Sequence, residues 1–193
     1  MNTKLNKNIS PVWMGDLETG SPLLGVVCIA ITSRGLLELK LTSDPDDFHR
    51  SLAARQGDPG DPNRVQVPAY LNQIQEYLES KRRRFELPID WSEMSPFMAK
   101  VLHETATIHF GQLRTYNGLA GAIGQPKAAR AVGSAMAANP IEIVIPCHRV
   151  IGSDRYLHGY AAPGSLDAKA WLLKLEGWTV EHYRVVGESR GLS

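Results

Sequence analysis

Cysteine is scarce in this chain: Cys28 and Cys147 are the only two among 193 residues. They stand far apart, in no metal-ligand spacing, which argues against a disulfide framework and against a cysteine-based metal site. Long apolar runs are missing as well. None approaches the ~18 residues needed to cross a bilayer, and the polar stretch Met1 to Asn8 has no signal-peptide core. The expectation is a soluble, cytoplasmic protein of a reducing compartment, with no membrane partner and a frayed start. A net charge of +1 gives no global field for nucleic acid, so any such attraction must come from local clustering. There are no internal repeats and no low-complexity tract.

What is present suits one large domain or two small ones, with 43% hydrophobic and 21% charged residues. Leu23 to Thr32, the turn Ser33-Arg34-Gly35 and Leu36 to Leu41 predict a hairpin. Cys28 lies within its first strand and reads as a small buried hydrophobe. Ser43 to Asp47 predicts a turn feeding a helix, and Gly57 to Asn63 a loop. Tyr70, Leu71, Ile74, Tyr77 and Leu78 predict a helix over Val67 to Lys81, closed by Lys81 to Arg84 as a solvated basic end. A boundary follows near Pro88 to Ser92. Ser95-Pro96 then predicts a capped helix to Ile108, burying Phe97 and Val101.

From there the chain becomes Gly- and Ala-rich. Thr115 to Gly124 and Lys127 to Ala138 predict two short helices around the turn Gln125-Pro126, a spacing that matches helix-turn-helix geometry. No Asp or Glu occurs between Glu104 and Glu142, whereas Arg114, Lys127 and Arg130 all lie there. Three unopposed cations give a local positive face, and small side chains allow close approach to a groove with little base readout. A tight helix–helix contact accounts for the small residues equally well.

Asn139-Pro140 predicts a turn, Ile141 to Ile145 a buried strand, and Pro146-Cys147-His148-Arg149-Val150 follows at once. A thiol beside an imidazole is a candidate nucleophile and base, with Glu176 at a helix end as the group that orients the ring. Taken bare, the pair also fits a structural cysteine or a cysteine hydrolase.

Several motifs in order carry a resemblance. Ser95-Pro96-Phe97, Gly111-Gln112, Thr115-Tyr116, Lys127 to Gly133, Asn139-Pro140, Ile145 to Ile151, Gly159-Tyr160 and Trp171 to Gly177 resemble the O6-alkylguanine-DNA alkyltransferases, also called methylated-DNA–protein-cysteine methyltransferases. The match covers residues 95 to 177. The resemblance implies an α+β fold: a small ribonuclease-H-like antiparallel-sheet domain over residues 1–91, a mainly helical domain with a helix-turn-helix over 92–180, and a tail over 181–193. It implies direct-reversal repair, in which a helix-turn-helix in the minor groove flips the lesion base out. The alkyl group of O6-alkylguanine then passes once and irreversibly to Cys147, with O4-alkylthymine left open as a second substrate. Base flipping is the general solution for chemistry on a stacked base.

The same resemblance implies individual roles. His148 would act on Cys147 through a water, Glu176 would hold the imidazole, and Asn139 would tie the turn ahead of the nucleophile. Tyr116 would donate towards N3 of guanine, Arg130 would fill the gap left in the stack, and Arg149 would brace the site. Carbonyls of Cys147 and Val150 would accept from the guanine amino group, and Tyr160 and Ala161 would wall the pocket. Lys127, Ala129, Gly133 and Ser134 would face DNA. The partner implied is double-stranded DNA carrying O6-alkylguanine. The protein is expected to be a monomer without cofactor or metal, and cooperativity on DNA is left open. Two departures bear on the pocket: the run Ala161 to Ala168 is about two residues longer than in many relatives, with Pro163 in place of a commoner glycine, and Glu142 stands where some relatives carry proline. The rival readings are a non-enzymatic alkyltransferase-like lesion binder, which Cys147 opposes, and a helix-turn-helix regulator, which the small residues oppose.

Overall fold

Alternating apolar residues along 26–42 build the centre of a three-stranded antiparallel sheet in the computed structural model, which describes residues 12–56 and 67–187. The strands are β1 (Trp13–Glu18), β2 (Val26–Thr32) and β3 (Gly35–Thr42), in that spatial order. The predicted hairpin is β2–β3, with a register shift at Ala30/Ile31; β1 is an addition to it. β2 is covered on both sides. Val27, Ile29 and Ile31 enter the main core, while Cys28 and Ala30 meet Phe48 and Leu52 of α1 (Pro45–Gln56). The start of α1 is fixed by Asp44, whose Oδ1 accepts from Asp47 N at 2.9 Å.

Helix α2 (Val67–Leu78) buries Tyr70, Ile74 and Tyr77, a stripe of period three to four. It stops three residues before Lys81. The basic run turns back instead, with Lys81 N and Arg82 N donating to Glu76 O, and the Lys81 and Arg82 side chains pairing with Glu79 and Glu76. Helix α3 (Pro96–Ala106) starts where Ser95 Oγ accepts from Met98 N. It ends two residues before Ile108, and buries Val101 and Leu102 while Phe97 stays half-buried. A two-residue strand β4 (Arg114–Thr115) leads into α4 (Tyr116–Ala122), capped by Thr115, and α5 (Ala129–Ala137) follows. β5 (Val150–Ile151) pairs parallel with β4. Helix α6 (Ser165–Leu175) and the hairpin β6 (Thr179–Glu181)–β7 (Arg184–Val186) complete the described chain. The expected N-terminal fraying and the loop 57–63 lie outside the described residues.

The predicted strand Ile141 to Ile145 is corrected. Only Ile141 bridges a strand, parallel to Leu39 of β3, through Leu39 N→Pro140 O and Glu142 N→Leu39 O at 2.8 and 3.0 Å. The remainder is a chain of turns: Val144 N reaches Glu142 O, Ile145 N reaches Ile141 O, and Ile143 holds φ at 66°. A left-handed β-branched residue is a strained one. The reason is local competition. Asn139 Nδ2 takes the carbonyls of Ile141 and Ile145, and Asn139 Oδ1 takes Ile141 N. The segment is apolar because it is buried at the seam, not because it forms a ladder. One core cluster runs from Trp13 to Leu172 and includes Leu39, Ile141, Ile143 and Ile145. The molecule is therefore a mixed α/β fold in which sheet and helices share an interior.

Candidate active site

Cys147 opens a 3-10 turn, Cys147–Arg149, whose three residues are all buried. The turn lets adjacent side chains leave in different directions. The Cys147 side chain faces a cavity of about 630 Å³ lined by Tyr116, Ala129, Arg130, Gly133, Met136 and Tyr160 among others. Its residue exposure is only 6%, but the thiol forms part of the cavity wall and is not sealed in packing. Asn139 Nδ2 donates to Cys147 Sγ at 3.2 Å. Burial pushes the thiol up to about 11, against the lowering effects of Asn139, Lys169 and Lys40.

His148 turns away from the cavity into a buried polar network, its ring and the Glu176 side chain fully shielded from solvent. Its Nε2 lies 2.9 Å from Glu176 Oε1. Arg149 forks onto the same carboxylate, with Nε 3.0 Å from both oxygens and Nη2 2.7 Å from Oε1, and its Nη1 donates to Ile108 O at 2.6 Å. Gly111 N donates to Glu176 Oε2. The Arg149 ion pair and the hydrogen bonds from Arg149 and His148 overcome the cost of burial and hold Glu176 far below the usual carboxylate range. An ionised Glu176 can only accept, so Nε2 of His148 carries the proton and Nδ1 carries the lone pair. That Nδ1 is buried and has no partner among the described residues. Desolvation lowers the His148 pKa, which keeps the ring neutral at physiological pH.

Three participants were not legible in the sequence. Tyr77 of α2 donates to Glu176 Oε1 at 2.6 Å and sits 3.2 Å from His148 Nε2, fully buried. It belongs to an apolar stripe, and only its hydroxyl distinguishes it. Lys169 of α6 is buried, donates to Val150 O at 2.7 Å and His158 O at 3.0 Å, and lies 5.9 Å from the Tyr116 ring centroid. Burial lowers it to about 8. A lysine in the core stripe of α6 was the available signal. His158 packs edge-on against Tyr116 and joins the cavity lining.

Of the anticipated residues, Cys147, Asn139, Tyr116, Arg130, Ala129, Gly133, Tyr160 and Ala161 meet at the cavity. Burial raises the Tyr116 hydroxyl to about 12, so it holds its proton. Arg130 and Lys127 are exposed on or beside α5, as is Arg114 on β4. Lys127 and Ser134 are not part of the lining; Ser134 Oγ turns back to Arg130 O at 3.3 Å. Arg149 is held by Glu176 behind the cavity. Val150 O already receives the Lys169 ammonium. The lengthened run after Tyr160 is pinned to the sheet side by Gly164 N→Leu23 O at 2.8 Å.

Residues 96–178 match the family model described as 6-O-methylguanine DNA methyltransferase, DNA binding domain. The constitutive methylated-DNA–protein-cysteine methyltransferase of Bacillus subtilis (strain 168) is 43% identical over 104 residues, 54% of this chain and 62% of that protein. The chain thus spans less than two thirds of this curated relative. The crystal structure of Mycobacterium tuberculosis O6-methylguanine methyltransferase superposes with TM-score 0.69 at 32% identity, over 86% of this chain and 92% of that one. The same M. tuberculosis protein in complex with DNA superposes equally well, over 84% and 91%. With near-complete coverage of a solved relative added to the motif match, the chain belongs to the O6-methylguanine DNA methyltransferase family.

Proposed function

We propose that the protein repairs DNA by moving the alkyl group of O6-alkylguanine onto its own Cys147. The observation that carries this reading is a thiol on the wall of a purine-sized cavity bordered by an exposed, cationic, small-residue helix. The α4–α5 pair acts as a helix-turn-helix, with α5 against the minor groove. Ala129 and Gly133 permit close approach, Lys127 and Ser134 meet the backbone, and Arg130 enters the gap the flipped base leaves. The DNA complex of the M. tuberculosis relative supports DNA as the partner.

In the reaction, His148 Nδ1 takes the thiol proton through a water, and Glu176, Arg149 and Tyr77 hold the ring for that task. A thiol poised near 11 is a weak nucleophile until this proton leaves. The Sγ–C bond forms as the C–O6 bond breaks. The electron pair moves into the guanine, where a hydrogen bond from the Tyr116 hydroxyl to N3 stabilises the growing charge, and the proton taken from the thiol, released by His148 through water, neutralises the departing base. The product is a thioether and guanine. A thioether has no carbonyl for water to attack, so the protein acts once.

The finer architecture follows the same reading: residues 1–91 a ribonuclease-H-like domain, supported by the β1-β2-β3 meander, residues 92–180 the reactive domain, and 181–193 a tail. Among the described residues no helix is long and apolar enough to cross a membrane. A cytoplasmic monomer fits a repair role. Duplex DNA with a labelled O6-methylguanine tests the function: intact mass should rise by one methyl group, mapped to Cys147. Label retained by Cys147→Ala protein overturns the assignment.

A further inference from the structure

Glu142 is a buried charged residue that the proposed reaction leaves unused. The residue is 1% exposed and lines the same cavity as Cys147. Its Oε1 lies 3.6 Å from Lys40 Nζ. Its Oε2 is buried with no hydrogen-bond partner among the described residues. Lys40 also donates to Asn139 O at 3.1 Å, so its ammonium is shared between two acceptors. The cavity lining is otherwise nearly free of carboxyl groups and rich in small and aromatic residues.

An unsatisfied buried acceptor is costly, and a ligand that brings a donor to it recovers that cost. A ligand that brings a second negative charge meets repulsion that a low-dielectric wall screens poorly. The alkyl carbon must approach Cys147 Sγ, and any extension of that alkyl group projects into the space the cavity offers. Glu142 and Cys147 line the same cavity, so a lesion seated there meets both residues.

We propose that Glu142 Oε2 is a subsite for the outer end of the alkyl group, favouring hydrogen-bond-donating substituents such as 2-hydroxyethyl and rejecting anionic ones such as carboxymethyl. This selectivity rests on the alkyl-transfer reading above. It differs from a purely structural role, in which Lys40 and Glu142 only fasten the turn 139–147 to β3. A fastening role changes the rate for every lesion alike; a subsite changes the ratio between lesions.

The test measures single-turnover transfer from three duplexes that differ only in the O6 substituent: methyl, 2-hydroxyethyl and carboxymethyl. It is run at pH 8, because burial raises Glu142 to about 7 and the carboxylate is then mostly ionised. Glu142→Gln should raise the carboxymethyl-to-methyl ratio by about tenfold or more, the size of one well-placed interaction of ~1.4 kcal/mol. Glu142→Leu should lower the hydroxyethyl-to-methyl ratio by about the same factor. Ratios that stay within about twofold of the parent in both variants overturn the subsite. Methyl transfer is the internal control for folding, and should Glu142→Leu lose it, the near-isosteric Glu142→Gln decides alone. If the parent protein transfers none of the three groups, the repair reading fails instead.

Discussion

The two sides of the Cys147–His148 peptide differ sharply. On one side lies an open cavity lined by Ala129, Gly133, Met136 and two tyrosines; on the other lies a buried polar network of His148, Arg149, Glu176 and Tyr77. The contrast teaches how one short turn can serve two incompatible needs. A flipped base requires space and little competing polarity. A ring that must present one lone pair requires fixed charges and no freedom. The 3-10 geometry sends neighbouring side chains to opposite environments, which a strand at that position would also do, but with less freedom in the angle of each.

Breaking the closed side should cost most after loss of the thiol itself. Glu176→Gln leaves Arg149 buried without its partner, and a broken buried pair costs about 3–5 kcal/mol. Transfer should fall by about 10²–10⁴, the range of general-base effects; chemical denaturation and single-turnover kinetics read the two. The pH sign follows from the depressed carboxylate. Its stabilisation is present above the ordinary carboxylate range and fades as pH falls towards the depressed native value. The Gln variant should therefore show a flatter acid-unfolding profile than the parent below about pH 5. Unchanged acid sensitivity counts against the ion pair.

Arg130→Ala probes the open side. Repair in duplex DNA should drop by about ten- to a hundredfold, the cost of supporting an unstacked base, while reaction with a free alkylguanine base stays within about twofold. Equal loss on both substrates removes Arg130 from the vacated stack. Tyr116→Phe should slow transfer by about tenfold, one hydrogen bond at the leaving group, with DNA affinity unchanged; a pure affinity loss makes Tyr116 a backbone contact. The smallest effect is expected at the Tyr77 hydroxyl of the closed side. Tyr77→Phe keeps the packing and removes one donor to Glu176, so transfer should slow severalfold, by about 1 kcal/mol. Its pH–rate profile should shift with it, whereas a purely structural hydroxyl would move stability alone.

The open side was well legible from sequence because its residues are contiguous in motifs: Thr115-Tyr116 at the β4–α4 junction, Lys127 to Gly133 leading into α5, and Asn139 to Val150 through the turns that carry Cys147. The closed side was half legible. The sequence set Glu176 against His148 and the structure has them 2.9 Å apart, but Tyr77 stands 71 and 99 positions from the groups it touches, and nothing local marks a stripe tyrosine as polar. Lys169 escaped because a lysine on a helix is by default solvated, and only the tertiary fold shows the carbonyls it serves. The strand expected at Ile141 to Ile145 shows the opposite failure. Its apolar run was visible and misassigned, since a buried turn held by Asn139 has the composition of a buried strand.

Tyr77 and Lys40 also redraw the limits of the working unit. The stretch that matches the family model begins at Pro96, yet the hydroxyl over the imidazole and the ammonium beside the cavity carboxylate come from α2 and β3. A fragment trimmed to the matched stretch would retain every residue named in the cavity lining and lose Tyr77 and Lys40. The N-terminal half thus supplies side chains that touch the buried network and the cavity carboxylate, and swapping it between relatives should change the setting of both.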